Sequence, residues 1–341
     1  MIEILVLIVS VVLAFLITHF STRIFIRFLR NINVFGKDAH KKDVYIPEMG
    51  GPPVFIGIIA AMFLTIGFYV FSIHVSPNLL VSVFAALFSI TIVLLIGIFD
   101  DLTVLIKDRV KKFKRIGFKQ WVRPLLILPA ALPLMAVSAG STIVNIPLFG
   151  PVNFGILYPL VAVPLMVVFA SESVNLLGGF NGLEAGMGTI GAISLGIFAL
   201  LRGNYLVATL LLSFAASLFA FLSFNWYPAK IWPGDSLTHM IGIVLIVSAI
   251  IGNFEKAAAL VLIPFVIEFF LKARSKFKAE CFGKLRSDGK LDPPYGKKIY
   301  SWTHLLLNIR PMKEESVTMV MMLVQIVASG LMFVLILGNF V

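Results

Sequence analysis

The chain has 341 residues, of which 59% are hydrophobic and 13% charged, and its formal net charge is +11. Soluble domains contain about a quarter charged residues, so this composition excludes an ordinary water-soluble protein, a disordered chain and a disulfide-stabilised scaffold. The single cysteine, Cys281, has no partner within the chain for a disulfide. We therefore expect an all-α polytopic membrane protein that has the lipid bilayer as its surroundings.

Uncharged segments predict about ten transmembrane helices, because a bilayer core of about 30 Å requires roughly 20 apolar residues per helix. The first, 4–22, lacks a basic start and a small-residue cleavage site and is therefore read as a retained helix. Residues 49–99 and 124–171 are each long enough for two helices, with breaks at 74–78 and between about 140 and 151. The remaining helices are predicted at 185–201, 203–229, 236–254, 257–271 and 316–341.

The basic residues predict the orientation of these helices. Ten passes place both termini on one side and define a set of loops on the other. This set holds 26 of the 28 Lys and Arg residues, so the positive-inside rule assigns it to the cytoplasm and both termini to the outside. The excess of basic residues thus follows from topology, no nucleic-acid partner is expected, and 1–341 is read as one integral-membrane domain. The predicted cytoplasmic loops are 23–50, 102–123, 172–184, 225–236 and 272–315.

Acidic and amide side chains collect at the predicted cytoplasmic ends of the helices. Charged groups inside a bilayer cost about 2.5–3.5 kcal/mol each, so their placement is informative. The group consists of Glu48, Asp100, Asp101, Glu172, Asn175, Asn181 and Asp235. Taken alone, an acidic or amide residue at such a position can also simply mark the edge of the membrane, form a turn or cap a helix. Together with the basic loops they favour a magnesium-bound diphosphate, since Mg²⁺ prefers oxygen ligands and accepts substrate phosphates as further ligands.

One further acidic residue and three histidines near the predicted helices are not assigned to the site. Glu268 lies in the middle of a predicted helix and is interpreted as a structural partner of a loop cation. The histidines His19, His74 and His239 stand alone at predicted membrane edges, and no role is assigned to them.

Five motifs carry a resemblance to a known family. They are Gly36-Lys37-Asp38, Ile46-Pro47-Glu48, Gly97 through Asp101, Asn175 through Gly186, and Phe224 through Asp235. In this order they resemble those of the polyprenyl-phosphate N-acetylhexosamine-1-phosphate transferases, glycosyltransferase family 4. The resemblance covers nearly the whole chain. It is greatest to the archaeal and eukaryotic UDP-N-acetylglucosamine–dolichyl-phosphate N-acetylglucosaminephosphotransferases.

The resemblance implies a ten-helix enzyme with a cleft at the cytoplasmic face of the cell membrane. It would transfer N-acetylglucosamine-1-phosphate from UDP-GlcNAc to a polyprenyl (dolichyl) phosphate and release UMP, the first step of lipid-linked oligosaccharide assembly for N-glycosylation. The implied cofactor is Mg²⁺, with Mn²⁺ as an alternative ion, and Asn175 and Asp235 would hold it. Asp100, Asp101 and Arg123 would be catalytic. The implied substrate-binding residues are Lys37, Asp38, Glu48, Glu172, Gly179, Asn181, Trp232 and Lys278.

The sequence also departs from the family pattern. Arg123 replaces a phosphate-contacting Lys and keeps its charge, Glu172 replaces an Asn, and Val104 stands where the family usually has an Asn. The sugar-recognising basic-His loop falls near Lys278 and is not preserved, so the sugar is less constrained than the reaction type.

Several alternatives stay open at this point. The first is a relative that uses another UDP-amino sugar for a cell-wall or surface polysaccharide. The second is a secondary transporter, although transporters place ionisable groups near the midplane and often contain repeats. Direct attack by the lipid phosphate is favoured, while an aspartyl-phosphate intermediate is a further option. The uncharged helices also leave room for a homodimer interface.

Overall fold

The computed structural model describes residues 2–38, 40, 44–72, 76–108, 121–146 and 150–338. The α-helices are, in chain order, α1 Ile2–Asn31, α2 Gly51–Ser72, α3 Pro77–Asp108, α4 Arg123–Ile127, α5 Leu132–Ala136, α6 Val163–Leu176, α7 Leu183–Leu201, α8 Tyr205–Asn225, α9 Gly234–Gly252, α10 Glu255–Ala273, α11 Trp302–Ile309 and α12 Glu314–Leu337. A 3₁₀ turn, Leu128–Ala131, connects α4 to α5, and a π-helical turn, Tyr158–Ala162, leads into α6.

The helices confirm the predicted all-α polytopic membrane fold. Within the described ranges, eight helical segments are long and apolar enough to cross a bilayer: α1, α2, α3, α6 with its π turn, α7, α8, α9 and α12. The other two predicted passes correspond to the shorter apolar segment α4–α5 and to α10, which carries charged residues near both ends. The predicted break near 74–78 falls between α2 and α3.

Two helices continue beyond their predicted ends. Residues 23–31 and 102–108 were predicted to be loops, but they continue α1 and α3. The prediction was wrong because charged residues mark the edge of the apolar layer, whereas a helix continues for as long as its backbone hydrogen bonds are made. The predicted loop that follows α3 also contains residues 109–120, which lie outside the described residues.

Helix α9 forms the centre of the bundle. Nearly all its residues are buried, and it packs against α3 and α6 and also against α2, α7 and α8. In contrast, α1 and α12 are only 28% buried and present apolar side chains outward, as lipid-facing helices do. The first turn of α9, which contains Asp235, is therefore surrounded by other helices.

A glycine in α3 permits this arrangement. A Cβ atom at Gly97 would lie 2.4 Å from the Cα atom of Ser236, so a larger residue would push α3 away from α9. The close approach places the acidic end of α3, Asp100 and Asp101, against the start of α9.

Three short antiparallel hairpins that the sequence did not predict occupy the connections. They are β1 Phe35–Lys37 with β2 Tyr45–Pro47, β3 Ile143–Ile146 with β4 Gly150–Asn153, and β5 Lys284–Leu285 with β6 Leu291–Asp292. Such two- to four-residue strands carry too little period-two pattern to stand out from the surrounding polar residues.

Residues 274–313, between α10 and α12, are fastened to α10 by buried polar contacts. Glu268 is fully buried, accepts a hydrogen bond from the Trp302 backbone N–H at 2.9 Å and lies 3.9 Å from Lys272 Nζ. The sequence predicts a loop cation as the structural partner of Glu268; the cation beside it, Lys272, instead lies one turn further along α10 itself. His304 Nε2 donates to the Glu280 carbonyl at 2.9 Å, and burial lowers the pKa of His304 to about 4, so its ring is neutral.

Candidate active site

A charged cluster forms where four helix ends meet. One guanidinium nitrogen of Arg123, Nη2, lies 2.8 Å from Asp100 Oδ2 and 2.8 Å from Asp235 Oδ2. Arg123 is the first residue of α4, and Asp235 is in the first turn of α9. Asp100 lies where the apolar part of α3 ends, eight residues before the end of that helix. We name these three residues and Asn175, near the end of α6, the helix-end cluster. The structure thus brings together four predicted site residues that are far apart in the sequence.

The neighbouring carboxylate of Asp101 is directed elsewhere. Its Oδ1 accepts a hydrogen bond from the Asp235 backbone N–H at 2.7 Å, and its Oδ2 accepts one from the Ser236 backbone N–H at 3.2 Å. Asp101 therefore caps the N-terminus of α9 from another helix, a place where a carboxylate is favoured by unpaired N–H groups and by the helix dipole. Of the Asp pair, Asp100 faces Arg123 and Asp101 holds the backbone that carries Asp235.

Asn175 meets Asp235 across the gap between α6 and α9. With the amide oxygen of Asn175 turned toward Asp235, the two Oδ1 atoms are 3.0 Å apart, and Thr238 Oγ1 donates to Asn175 Oδ1 at 2.7 Å. We name this the oxygen-in orientation. A half-turn of the amide gives the nitrogen-in orientation, in which the nitrogen donates to Asp235 Oδ1 and the oxygen accepts from Arg123 Nη1 at 3.2 Å.

The oxygen-in orientation fits a bound divalent cation. Two acceptor oxygens 3.0 Å apart repel each other unless a positive charge lies between them, and neighbouring oxygens around Mg²⁺ are separated by roughly 3 Å when each lies about 2.1 Å from the ion. Among the described residues no group of three or more His, Cys, Asp or Glu is arranged to hold a metal. In the oxygen-in orientation the two side chains would supply two oxygens to Mg²⁺, whose remaining ligands are commonly substrate phosphates and water. The predicted metal site stays a prediction.

Other polar groups around the cluster have unused hydrogen-bonding capacity. Glu172, one turn before Asn175, is close enough to Arg123 and Asp235 to interact electrostatically with both. Glu172 Oε1 and Arg123 Nε are buried and have no hydrogen-bond partner within the described chain. A buried polar atom without a partner is unfavourable, so these atoms identify the space beside Arg123 as one for a polar ligand.

Sequence reasoning missed two residues of this site. Thr238 and His239 follow Asp235 by three and four positions and so lie on the same face of α9. His239 is buried, and it lines a small cavity together with Asp100 and Arg123. The spacing along α9 was the signal that could have identified it, whereas its position near a membrane edge led to no assigned role.

Asn181 belongs to a second group of polar residues, in the loops beside the cluster. Its backbone N–H donates to Glu314 Oε1 at 2.8 Å, its side-chain amide donates to the same carboxylate, and its Oδ1 accepts from the Ala229 N–H at 2.7 Å. Asn181 is 1% exposed. The predicted contact with uridine therefore stays a prediction, since within this structure Asn181 connects three segments of the protein.

His40 completes this group, which we name the loop network: His40, Asn181, Glu184 and Glu314. His40 packs on the Phe180 ring, its Nε2 accepts from the Gly283 N–H at 3.3 Å, and its Nδ1 lies 3.7 Å from Glu314. No local signal in the sequence marks Glu314 or His40. Glu314 lies 133 residues from Asn181, and His40 lies 243 residues from Gly283, so neither contact leaves a local pattern.

The backbone conformation of Gly179, in the same loops, requires a glycine at this position. Its φ of +97° lies in a region that favours glycine, and an added Cβ would lie 2.0 Å from the Phe282 ring. The Gly179 N–H donates to Glu184 Oε1 at 2.9 Å. Gly179 therefore allows the α6–α7 connection to pass close to the loop after α10, and a role in substrate binding stays a prediction.

The other predicted substrate-binding residues fall into two groups. Glu48 forms a parallel bridge with Trp232, beside the cluster, and interacts electrostatically with Asp101. Trp232 is buried, and its Nε1 has no acceptor among the described residues. Asp38 is buried and accepts from the His40 N–H at 2.9 Å, whereas Lys37 is exposed on β1.

Lys278 lies apart from both groups. It is exposed, and its backbone N–H donates within its own loop, to the Ser275 carbonyl at 3.3 Å. The contacts of the described residues do not join it to the helix-end cluster.

The comparisons with known proteins identify the family. The family model for glycosyl transferase family 4 matches residues 83–253, which run from within α3 to just past the end of α9. The chain is 34% identical, over 94% of its length and 93% of the relative's, to a Saccharolobus solfataricus protein with the provisional name UDP-N-acetylglucosamine–dolichyl-phosphate N-acetylglucosaminephosphotransferase. The chain belongs to glycosyl transferase family 4. The family match thus covers every residue of the helix-end cluster.

Relatives of lower identity carry the names of enzymes for different sugars. A Schizosaccharomyces pombe protein with the same enzyme name, not provisional, is 28% identical over 82% of this chain and 69% of its own length. A phospho-N-acetylmuramoyl-pentapeptide-transferase of Halalkalibacterium halodurans is 32% identical over 77% of this chain and 80% of its own length. The family match and these relatives support transfer of a sugar phosphate and do not by themselves fix the sugar.

Proposed function

We propose that this protein transfers N-acetylglucosamine-1-phosphate from UDP-GlcNAc to a polyprenyl phosphate of the dolichyl type and releases UMP. The observation that carries the proposal is the helix-end cluster, in which Arg123 joins Asp100 to Asp235 and the side-chain amide of Asn175 lies 3.0 Å from an Asp235 oxygen. The donor and acceptor follow the names of the relatives that match most of the chain.

The reaction needs positioned charge more than covalent help from the protein. An oxygen of the lipid phosphate attacks the β-phosphorus of UDP-GlcNAc, the bond from that phosphorus to the oxygen of UMP breaks, and UMP leaves. A phosphate monoester has a second pKa near 6 and is largely deprotonated at pH 7, so no carboxylate has to remove a proton first. This favours direct attack over an aspartyl-phosphate intermediate.

Each residue of the cluster has a part in this reaction. Asn175 and Asp235 would hold Mg²⁺, which when bound neutralises charge on the diphosphate and the leaving UMP. Asp100 holds the Arg123 guanidinium in place, so that Nη1 and Nε can donate to phosphate oxygens. Asp101 fixes the first turn of α9 and thereby the position of Asp235. Phosphoryl transfer depends mainly on such positioning and charge stabilisation.

We also propose that the site faces the cytoplasm, as the distribution of basic loops predicts. Exposed residues at the two ends of the bundle provide a matched test. In sealed vesicles of known orientation, a membrane-impermeant maleimide should label Lys278→Cys only from the cytoplasmic side and Arg202→Cys only from the opposite side. The reverse labelling pattern would contradict this orientation.

Activity of the purified protein with several donors tests the proposed reaction. UDP-GlcNAc, UDP-GalNAc and UDP-MurNAc-pentapeptide, each radiolabelled in the sugar, would be incubated with polyprenyl phosphate, and the lipid phase analysed. We expect labelled lipid from UDP-GlcNAc, its loss with EDTA and its return with Mg²⁺. Labelled lipid from another donor alone would change the assigned sugar, and full activity in EDTA would contradict the metal site.

A further inference from the structure

We propose that α11 lies in the plane of the membrane, with its outward face in the lipid leaflet at the active-site end of the bundle. This surface is separate from the helix-end cluster, and its partner is the bilayer itself. The segment that contains α11, 274–313, belongs to a region that the sequence predicts to be a cytoplasmic loop.

The two faces of α11 are the reverse of those of a helix exposed to water. Residues three and four apart share a face of a helix, so Thr303, His304 and Leu307 form one face, and all three are buried. Both polar side chains of this face are satisfied inside the protein: Thr303 Oγ1 donates to the Cys281 carbonyl at 2.6 Å, and His304 Nε2 donates to the Glu280 carbonyl at 2.9 Å. The opposite, outward face consists of Trp302, Leu305, Leu306 and Ile309. A surface helix in water instead turns its apolar stripe inward and its polar side chains outward.

The described chain covers this outward face incompletely. Ile309 is 74% exposed, and Trp302, Leu305 and Leu306 are half-buried. Exposed apolar surface costs about 25 cal/mol per Å² relative to burial, so neighbouring apolar side chains that stay exposed together indicate a contact surface.

The outward face adjoins a helix that also presents apolar side chains outward. The Trp302 backbone N–H donates to Glu268 at 2.9 Å, and its indole Nε1 donates to the Pro264 carbonyl at 2.8 Å, so α11 begins directly against α10. On α10, an apolar strip with three- and four-residue spacing stays exposed, at 40%, 37% and 61%: Ile263, Ile267 and Phe270. The apolar face of α11 therefore lies beside an apolar strip of a predicted membrane pass.

The charges around α11 match the surface of a bilayer. Four exposed basic residues flank the helix, two before it and two after it: Lys297, Lys298, Arg310 and Lys313. Within the described ranges, the ion pairs of segment 274–313 do not include any of the four. Basic side chains beside an apolar helix face bind anionic headgroups, at about 1 kcal/mol each near the surface, while the apolar face enters the acyl boundary. A lipid leaflet thus accounts for both the apolar face and the charges beside it.

Docking of α11 would hold the whole of segment 274–313 at the membrane surface. The same segment reaches the loop network through Gly283, whose backbone N–H donates to His40 at 3.3 Å. The position of the loop network is then tied to the headgroup layer.

Fluorescence quenching of labelled cysteine variants in nanodiscs tests the proposal. Ile309→Cys and Ser287→Cys, each labelled with a nitrobenzoxadiazole dye, would be placed in an equal mixture of phosphatidylcholine and phosphatidylglycerol. Ser287 is exposed between β5 and β6 of the same segment and provides the matched control. Cys281 is 4% exposed, so the unsubstituted protein serves as the blank for labelling. We expect lipids with a nitroxide near the headgroup to quench the probe at 309 several-fold more strongly than the probe at 287, and aqueous iodide to show the reverse order.

The other outcomes would overturn the proposal. Equal quenching of both probes by iodide would place α11 in water. A probe at 309 that neither quencher reaches would show that protein covers this face, such as a second copy of the chain. Stronger quenching at 309 by a nitroxide near the end of the acyl chain would contradict an in-plane position. If Ile309→Cys does not fold, Leu305→Cys on the same face takes its place.

Discussion

Two asparagines, six residues apart, show how differently the two polar regions of this protein are built. In the loop network, Asn181 donates to Glu314 and accepts from the Ala229 N–H, so its amide is satisfied within the protein. In the helix-end cluster, the Asn175 oxygen can face an Asp235 oxygen at 3.0 Å.

The difference shows which polar side chains have hydrogen-bonding groups left over for a ligand. A saturated amide such as that of Asn181 can stabilise loops, whereas an amide that is satisfied in one orientation and exposes an acceptor in the other can change partners when a cation binds. Both asparagines belong to the same motif, and only their surroundings distinguish them. The predictions that follow test whether function divides along this line.

The largest effect is expected from Asp235→Asn. The substitution keeps the size of the side chain and removes its charge, so both the proposed metal ligand and the ion pair with Arg123 are lost. We expect the transfer rate to fall by about a thousandfold or more, since metal and charge stabilisation of the leaving group contributes several kcal/mol. The thermal unfolding midpoint should change little, because Asp101 binds the backbone N–H of residue 235. A residual rate above about a tenth of wild type would remove Asp235 from the site.

The next largest effect should come from Asp101→Ala. Without the carboxylate, the first turn of α9 loses its cap, which lowers the free energy of unfolding by about 1–2 kcal/mol. Displacement of Asp235 should also slow transfer by about 10- to 100-fold. Asp101→Asn, which retains one acceptor oxygen, should recover part of both losses. Unfolding in denaturant and initial rates measure the two effects, and a fully stable but inactive Asp101→Ala would make Asp101 a reacting group instead.

Asn181→Ala should act chiefly on stability. It leaves the Glu314 carboxylate and the Ala229 N–H without a partner, and a loss of about 1–3 kcal/mol is expected for such buried groups. The maximal rate of the folded enzyme should stay within about tenfold of wild type. Kinetics at varied UDP-GlcNAc concentration, together with thermal unfolding, distinguish a role of Asn181 in stability from a role in substrate binding. Unchanged stability with a raised KM would instead support the uridine contact that the family resemblance implies.

The smallest effect is expected for His304, which lies in α11, within the segment 274–313 that contacts α10. Its pKa is lowered from 6.5 to about 4 by burial, so stability that is fully present above pH 6.5 is lost as the pH falls toward 4. We expect a loss of roughly 1 kcal/mol at pH 5.5, visible as a lower unfolding midpoint. In His304→Gln, the midpoint should depend less on pH over this range. An identical pH dependence in both proteins would show that other groups dominate.

Much of the helix-end cluster could be predicted from the sequence. Alternating passes require Asp100, Asn175 and Asp235 to lie at one end of the bundle, and the motifs identify them. The separate tasks of Asp100 and Asp101 could not be predicted, because they depend on the approach of α3 to α9 at Gly97. The partners of Asn181 were also hidden, since Glu314 lies 133 residues away in the chain. Long-range contacts of this kind leave no local pattern.

The fate of the β-phosphorus tests the central claim most directly. UDP-GlcNAc labelled with ³²P at the β-phosphate would be incubated with polyprenyl phosphate, Mg²⁺ and either wild type or Asp235→Asn. If a sugar phosphate is transferred, the ³²P enters the lipid phase with the sugar, and unlabelled UMP remains in the aqueous phase. This should happen with wild type and not with Asp235→Asn. Sugar-labelled lipid with the ³²P left behind in UDP would contradict the account.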